Sequence, residues 1–115
     1  MSSTESSRLY CIVHQDLPLA QQAVQATHAA LEHAFVHGRP PTGHPALVVL
    51  TVKNQEQLQD LRYFLKQKGI QISDFHESYK NWGLTALACL LKEEERSLLS
   101  DLPLWKIKPS LGDQS

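Results

Sequence analysis

The chain has 115 residues, 42% hydrophobic and 20% charged. That composition excludes a disordered polymer and fits one domain that can bury a core without disulfide or metal staples. A formal net charge of -1 and a pI near 6.6 exclude strong bulk attraction to nucleic acid or to an anionic membrane. Arg8, Arg39, Lys53, Lys66, Lys68 and Lys80 are cations that folding could gather into a local patch.

Residues 1–7 are rich in Ser, Thr and Glu and read as an N-terminal tail, followed by a single domain over 8–105 and a C-terminal tail over 106–115. The polar start has no apolar stretch of the secretory type, and no apolar run reaches the length of a membrane span. Cys11 and Cys89 each fall inside an apolar run, where a free thiol packs as a small hydrophobe. Together these predict a cytoplasmic protein with reduced cysteines and no membrane partner. A Cys11–Cys89 disulfide is the alternative.

RLYCIV (8–13) predicts a first strand. A helix follows over 16–38, with Pro18 in its first turn and Gly38 just past its end. Ala20, Ala23, Val24, Thr27, Ala30, Leu31, Ala34 and Phe35 recur at spacings of three and four, and this face is expected to lie on a sheet. RPPTGHP (39–45) is a loop, and the valine-rich ALVVLTV (46–52) reads as a central strand covered on both faces. Asn54 and Gln57 have capping-box spacing for a second helix that buries Leu58, Leu61, Phe64 and Leu65 and closes at Gly69. IQISDF (70–75) and LTALACLL (84–91) predict strands three and four, and KEEERSLLSDLPLW (92–105) a short third helix and a tail.

The order β-α-β-α-β-β-α predicts an α/β fold, a three-layer α/β/α sandwich on a four-stranded mixed sheet. Helical crossovers make the first three strands run in one direction. The link between strands three and four is too short for a crossover, so strand four runs antiparallel to them.

Two clusters carry candidate chemistry. Gln21, Gln25, His28 and Glu32 fall on one helical stripe, either a solvated face or a cleft floor. FHESYKNWG (75–83) packs His76, Glu77, Tyr79, Lys80, Asn81 and Trp82 into one strand-to-strand connection, either an ordinary polar loop or a functional one. Thr85 is the one polar residue of strand four. The six histidines show no third ligand at a recognisable spacing, so no metal is expected. Neither a nucleophile elbow nor a glycine-rich phosphate loop occurs, and no cofactor is expected.

AQQAVQATHA (20–29) resembles the helix signature Gly-Lys-x-x-x-Gln-x-x-His-Ala of the type II peptidyl-tRNA hydrolases, the archaeal and eukaryotic kind. Gln25, His28 and Ala29 are in register. FHESYKNWGLTALACLL is similar to Phe-x-Glu-Pro-Asp followed by Leu-Thr-Ala in a short bacterial and phage branch of that family, and LPLW (102–105) also matches the branch. The likeness spans about residues 8–105. The chain departs from the family at Gln21, where the family has a lysine, at Ala20 for glycine, and at Ser78 and Tyr79 for Pro and Asp.

The resemblance implies hydrolysis of the ester between a peptidyl group and tRNA. Glu77, Thr85, His28 and Gln21 would form the catalytic set, and Gln25, His76 and Lys80 would bind substrate. Glu77 would position or deprotonate water, with a histidine as proton carrier. Gln21, Gln25 and Thr85 would orient the ester or its oxyanion. Peptidyl-tRNA or tRNA is the implied partner, and a homodimer is the other assembly in view. Glutamine cannot supply the lysine's charge. Two further readings therefore stand beside the first: a catalytically silent binding module of the same fold, and a hydrolase of another small ester or amide.

Overall fold

The computed structural model describes residues 7–40 and 43–105. The predicted tails at 1–6 and 106–115 lie outside the described residues. Ser7, counted with the N-terminal tail, is buried at the start of the domain.

The elements are β1 (Arg8–His14), α1 (Leu19–His37), β2 (Ala46–Val52), α2 (Gln55–Gln67), β3 (Ile72–Glu77) and β4 (Gly83–Leu91), followed by a 3₁₀ run over Glu93–Leu99. The fold is α/β with a four-stranded mixed sheet in the order β2-β1-β4-β3. β1 and β2 pair in parallel, and β4 is antiparallel to both β1 and β3. The first three strands thus share a direction, as their crossovers require. The third helix forms as a 3₁₀ run. Lys92 N–H donates to Glu95 Oε1 at 2.9 Å at its start, and Ser100 N–H donates to Ser97 O at its end.

Strand alternation sorts the core into two layers. Tyr10, Ile12, Leu50, Val52, Leu87, Cys89 and Leu91 pack with Leu58 and Leu65 of α2. Leu9, Cys11, Val13, Ala86 and Ala88 pack with Ala26 and Ala29 of α1. Cys11 and Cys89 therefore face opposite sides of the sheet, and both are buried free thiols. Burial pushes the Cys11 thiol up to about 11 and, with a smaller contribution from Cys11, that of Cys89 up to about 12.

Several boundaries differ from expectation. α1 runs from the residue after Pro18 to the residue before Gly38, whose N–H closes the helix on Ala34 O at 2.9 Å. In α2, Asn54 Oδ1 accepts from Gln57 N–H at 2.8 Å, but the Gln57 side chain reaches back one residue further, to Lys53 N–H. Phe64 is exposed, with the Lys68 ammonium over its ring. β3 begins two residues later than expected and takes His76 and Glu77 into the strand.

The largest correction concerns the rotation of α1. The helix buries Gln22, Gln25, Ala26, Ala29 and His33. Most of the expected apolar face, including Val24, Leu31 and Phe35, points outward. Alanines at 26 and 29 let α1 approach β1, β3 and β4 closely. Each buried polar group on that side has a partner, which removes the roughly 1–3 kcal/mol penalty of an unpaired one. Gln22 Nε2 donates to Leu17 O at 2.8 Å, and Gln22 Oε1 accepts from the Trp105 indole at 3.0 Å. His33 Nδ1 lies 3.1 Å from Ser73 Oγ.

β2 is an edge strand with Ala46 and Leu47 exposed, not the central strand covered on both faces that its valine-rich run predicts, and its edge is partly closed by the chain that follows the 3₁₀ run. Thr51 N–H donates to Pro103 O, and Trp105 N–H to Val49 O. LPLW is therefore a short edge cover for β2.

Candidate functional site

The site is built where α1 crosses the ends of β3 and β4. β3 alternates strictly: Ser73, Phe75 and Glu77 face α1, while Ile72, Asp74 and His76 face the α2 side. In β4 the alternation breaks. Phe75 pairs with Ala86 but His76 pairs with Leu84, so Thr85 is an extra residue in the ladder. This bulge turns both Thr85 and Ala86 toward α1 and leaves Leu84 on the α2 side.

Gln25 is the centre of the cluster and is fully buried. Its Nε2 donates to Glu77 Oε1 at 3.0 Å and lies 3.3 Å from Gln21 Oε1. Its Oε1 accepts from the Thr85 hydroxyl at 2.7 Å. A carboxylate only accepts, so the amide must turn its nitrogen to Glu77 and its oxygen to Thr85. Phe75 O, at 3.2 Å from the same hydroxyl, is the weaker acceptor for its single proton.

The Glu77 carboxylate is half-buried and receives the Tyr79 N–H on its other oxygen at 3.3 Å. The Gln25 bond first, then the Tyr79 N–H, hold its pKa below the ordinary carboxylate value, with a smaller contribution from the nearby His28. The turn that aims this N–H carries Lys80 and Asn81 at positive φ, 52° and 57°. Gln55 braces its far side, donating from Nε2 to Trp82 O at 2.7 Å and Leu84 O at 2.9 Å.

His28 is exposed and lies flat on Phe75, with ring centroids 4.6 Å apart and planes 7° apart. Gln21 is half-buried beside Gln25. The structure thus brings together Gln21, Gln25, His28, Glu77 and Thr85. The stripe on α1 is not a solvated face, because its central member is sealed. Gln25 and Thr85 have no exposed surface, and their side chains bond each other and, through Gln25, Glu77. His76 is not gathered into this cluster. It faces the other side of the sheet, 3.8 Å from Asp74, whose carboxylate takes the Arg62 Nε of α2 at 2.6 Å. Lys80 is exposed on the turn with its ammonium over the Tyr79 ring, and no bond ties it to the cluster. Glu32 is half-buried further along α1.

Gln22, His33 and His14 escape a reading of the sequence alone. Gln22 carried a signal in retrospect: it precedes Gln25 by three residues and so shares its side of the helix. His14 is buried at the end of β1 with neither ring nitrogen hydrogen-bonded among the described residues, and burial holds its pKa low. No group of three or more metal-ligating side chains occurs among the described residues. No helix among them is long and apolar enough to cross a membrane.

Neither a family model nor a curated protein matches the chain. Among solved structures, it is similar to the protein of unknown function Atu0240 from Agrobacterium tumefaciens strain C58. The TM-score is 0.66 at 13% identity, over 88% of this chain and 98% of that one. At that identity the likeness concerns the fold alone.

Proposed function

We propose that the chain is a peptidyl-tRNA hydrolase-like protein whose hydrolytic centre is organised by Gln25. One observation supports this above all: a solvent-reaching carboxylate, Glu77, is held at 3.0 Å by a sealed amide that Thr85 locks in turn. A fixed carboxylate beside an imidazole is suited to directing water at an ester. Its lowered pKa makes Glu77 a weak base, better at orienting the water than at removing its proton. The water oxygen bonds to the ester carbon, the bond from that carbon to the ribose oxygen breaks, and His28 relays the proton from the water to that leaving oxygen. Gln21, half-exposed beside Gln25, donates from its Nε2 to the carbonyl oxygen as charge develops there. Gln25 and Thr85 act through Glu77 as positioning residues. Lys80 is the nearest cation on the turn for a phosphate. His76 has no part.

A catalytically silent binding module is favoured by Gln21, which places a neutral amide where the resemblance implies a lysine. The near-neutral charge of the chain favours a smaller ester or amide as substrate. Release of free tRNA from purified peptidyl-tRNA separates the three. The proposal expects turnover by the wild type, loss in Glu77→Ala and a gain in Gln21→Lys. No turnover by the wild type, with turnover appearing in Gln21→Lys, assigns the silent module. Hydrolysis of small aminoacyl esters without tRNA release assigns the third reading.

A further inference from the structure

A concavity lies beside the C-terminal half of α1, from Thr27 to Gly38. It encloses about 930 Å³, within the range of small-molecule sites. None of the residues of the Gln25 cluster lines it. Ala34 in its wall is nine residues beyond Gln25, or roughly 14 Å along the helix axis. The groove follows from the rotation of α1. Because the helix lies over β1, β3 and β4, the outward apolar face leaves a trough beside edge strand β2.

The trough is floored and walled by Ala30, Leu31, Ala34, Leu47 and Leu90. Leu31 and Leu47 are 50% and 66% exposed, large apolar side chains without cover among the described residues. Two cations are in its lining: Arg39, where α1 gives way to the loop, and Lys92, which follows β4. Among the described residues that line it there is no Asp or Glu. His33, also in the wall, is held neutral by burial, its pKa pushed down to about 4.

Lys92 has Glu93, Glu94 and Glu95 next to it in the 3₁₀ run, outside the lining, so Arg39 is the cation free of acidic neighbours in sequence. An apolar trough lined by cations and no carboxylate is complementary to one chemistry, a single apolar chain ending in an anion. We propose that this groove binds a carboxylate amphiphile, the apolar chain lying along Ala30, Leu31, Ala34 and Leu47 and the carboxylate paired with Arg39 or Lys92. A cationic or neutral head would gain nothing from those cations. A flat lipid surface would reach Phe35 and Val36 on the outer face of α1 but not the recessed Ala30 and Leu90.

Calorimetric titration of the full chain tests this with dodecanoate, and with dodecyltrimethylammonium as the cationic counterpart, both below micelle formation. Saturable one-to-one binding of dodecanoate is expected, at least about tenfold tighter than the cationic probe. Ala34→Trp, which fills the trough from an exposed position, should abolish it. The Arg39→Glu, Lys92→Glu double variant should weaken dodecanoate by about tenfold or more and narrow the preference over the cation. Circular dichroism of both variants checks that the fold is kept. Equal binding of the two probes, binding untouched by Ala34→Trp, absence of binding, or adsorption only to anionic phosphatidylglycerol vesicles each overturns the proposal. The three substitutions leave the Gln25 cluster alone, so this outcome is independent of the tRNA-release assay.

Discussion

Gln25 and Glu77 lie 52 residues apart in the chain and meet side chain to side chain at 3.0 Å. Burial of the amide makes the contact directional, because water does not reach Gln25, whereas the Glu77 carboxylate still meets solvent. Replacing Gln25 by leucine, similar in volume and without a donor, should raise the Glu77 pKa toward the ordinary carboxylate value. Carbon-detected NMR titration of the Glu77 carboxyl reads this directly, and an unmoved titration curve would contradict the assignment. Gln25→Glu places a second carboxylate against the first. It should destabilise the fold most at neutral pH and progressively less as the pH falls and the pair takes up a proton.

His33 gives the fold an acid-side weakness. Burial first, then the neighbouring His37, lower its pKa from 6.5 to about 4 in the folded chain, with a bond to Ala88 opposing in part. The unfolded chain therefore binds a proton that the folded chain refuses between those values, and stability falls as pH drops from about 6.5 toward 4. Above that window the contribution is fully present. The expected loss at pH 4.5 relative to pH 7.5 is on the order of 2 kcal/mol. His14, also shifted down by burial, acts in the same direction. Urea unfolding at the two pH values measures the loss, and His33→Gln should shrink it.

Trp105 ties the segment after the 3₁₀ run to α1 through its indole N–H and Gln22 Oε1, 3.0 Å apart. Trp105→Phe keeps much of the apolar cover and removes that donor. A loss of about 1 kcal/mol is expected, measured by chemical denaturation. A change near zero would mean that water replaces the indole without cost.

Gly83 opens β4 at φ +70°, and a Cβ there would lie 3.2 Å from Gln55 Nε2. That nitrogen bonds the carbonyls on both sides of Gly83, so it has little room to retreat. Gly83→Ala should cost about 1–2 kcal/mol. Because Gly83 pairs with Glu77, the same change should also disturb the amide shifts of Glu77 and Tyr79 in a heteronuclear correlation spectrum. An unchanged spectrum would separate the turn from the site.

Much of this was open to a reader of the sequence. The apolar runs at Arg8–His14, Ala46–Val52 and Gly83–Leu91 mark strands, though Ala46–Val52 is a half-exposed edge and not the covered central strand expected. α1 starts at Leu19, three residues inside the expected span, but ends just before Gly38 as expected. The short link after β3 dictates the antiparallel fourth strand. Local pattern suffices there because each signal depends on neighbours in the chain. The side of α1 that meets the sheet was not legible. Alanines occur all around that helix, so its periodicity offers two faces. The choice falls to the one whose glutamines and histidine find partners on β3, β4 and the segment around Trp105. Nor could alternation counted along LTALACLL place Thr85 beside Ala86. That needs an extra residue in the β4 ladder opposite Phe75 and His76, a feature of pairing between two strands and of no single stretch. The sequence by itself determined the elements and their order. Only the tertiary structure decided that Thr85 turns to Gln25, because register and helix rotation are settled by which buried polar groups can be satisfied together.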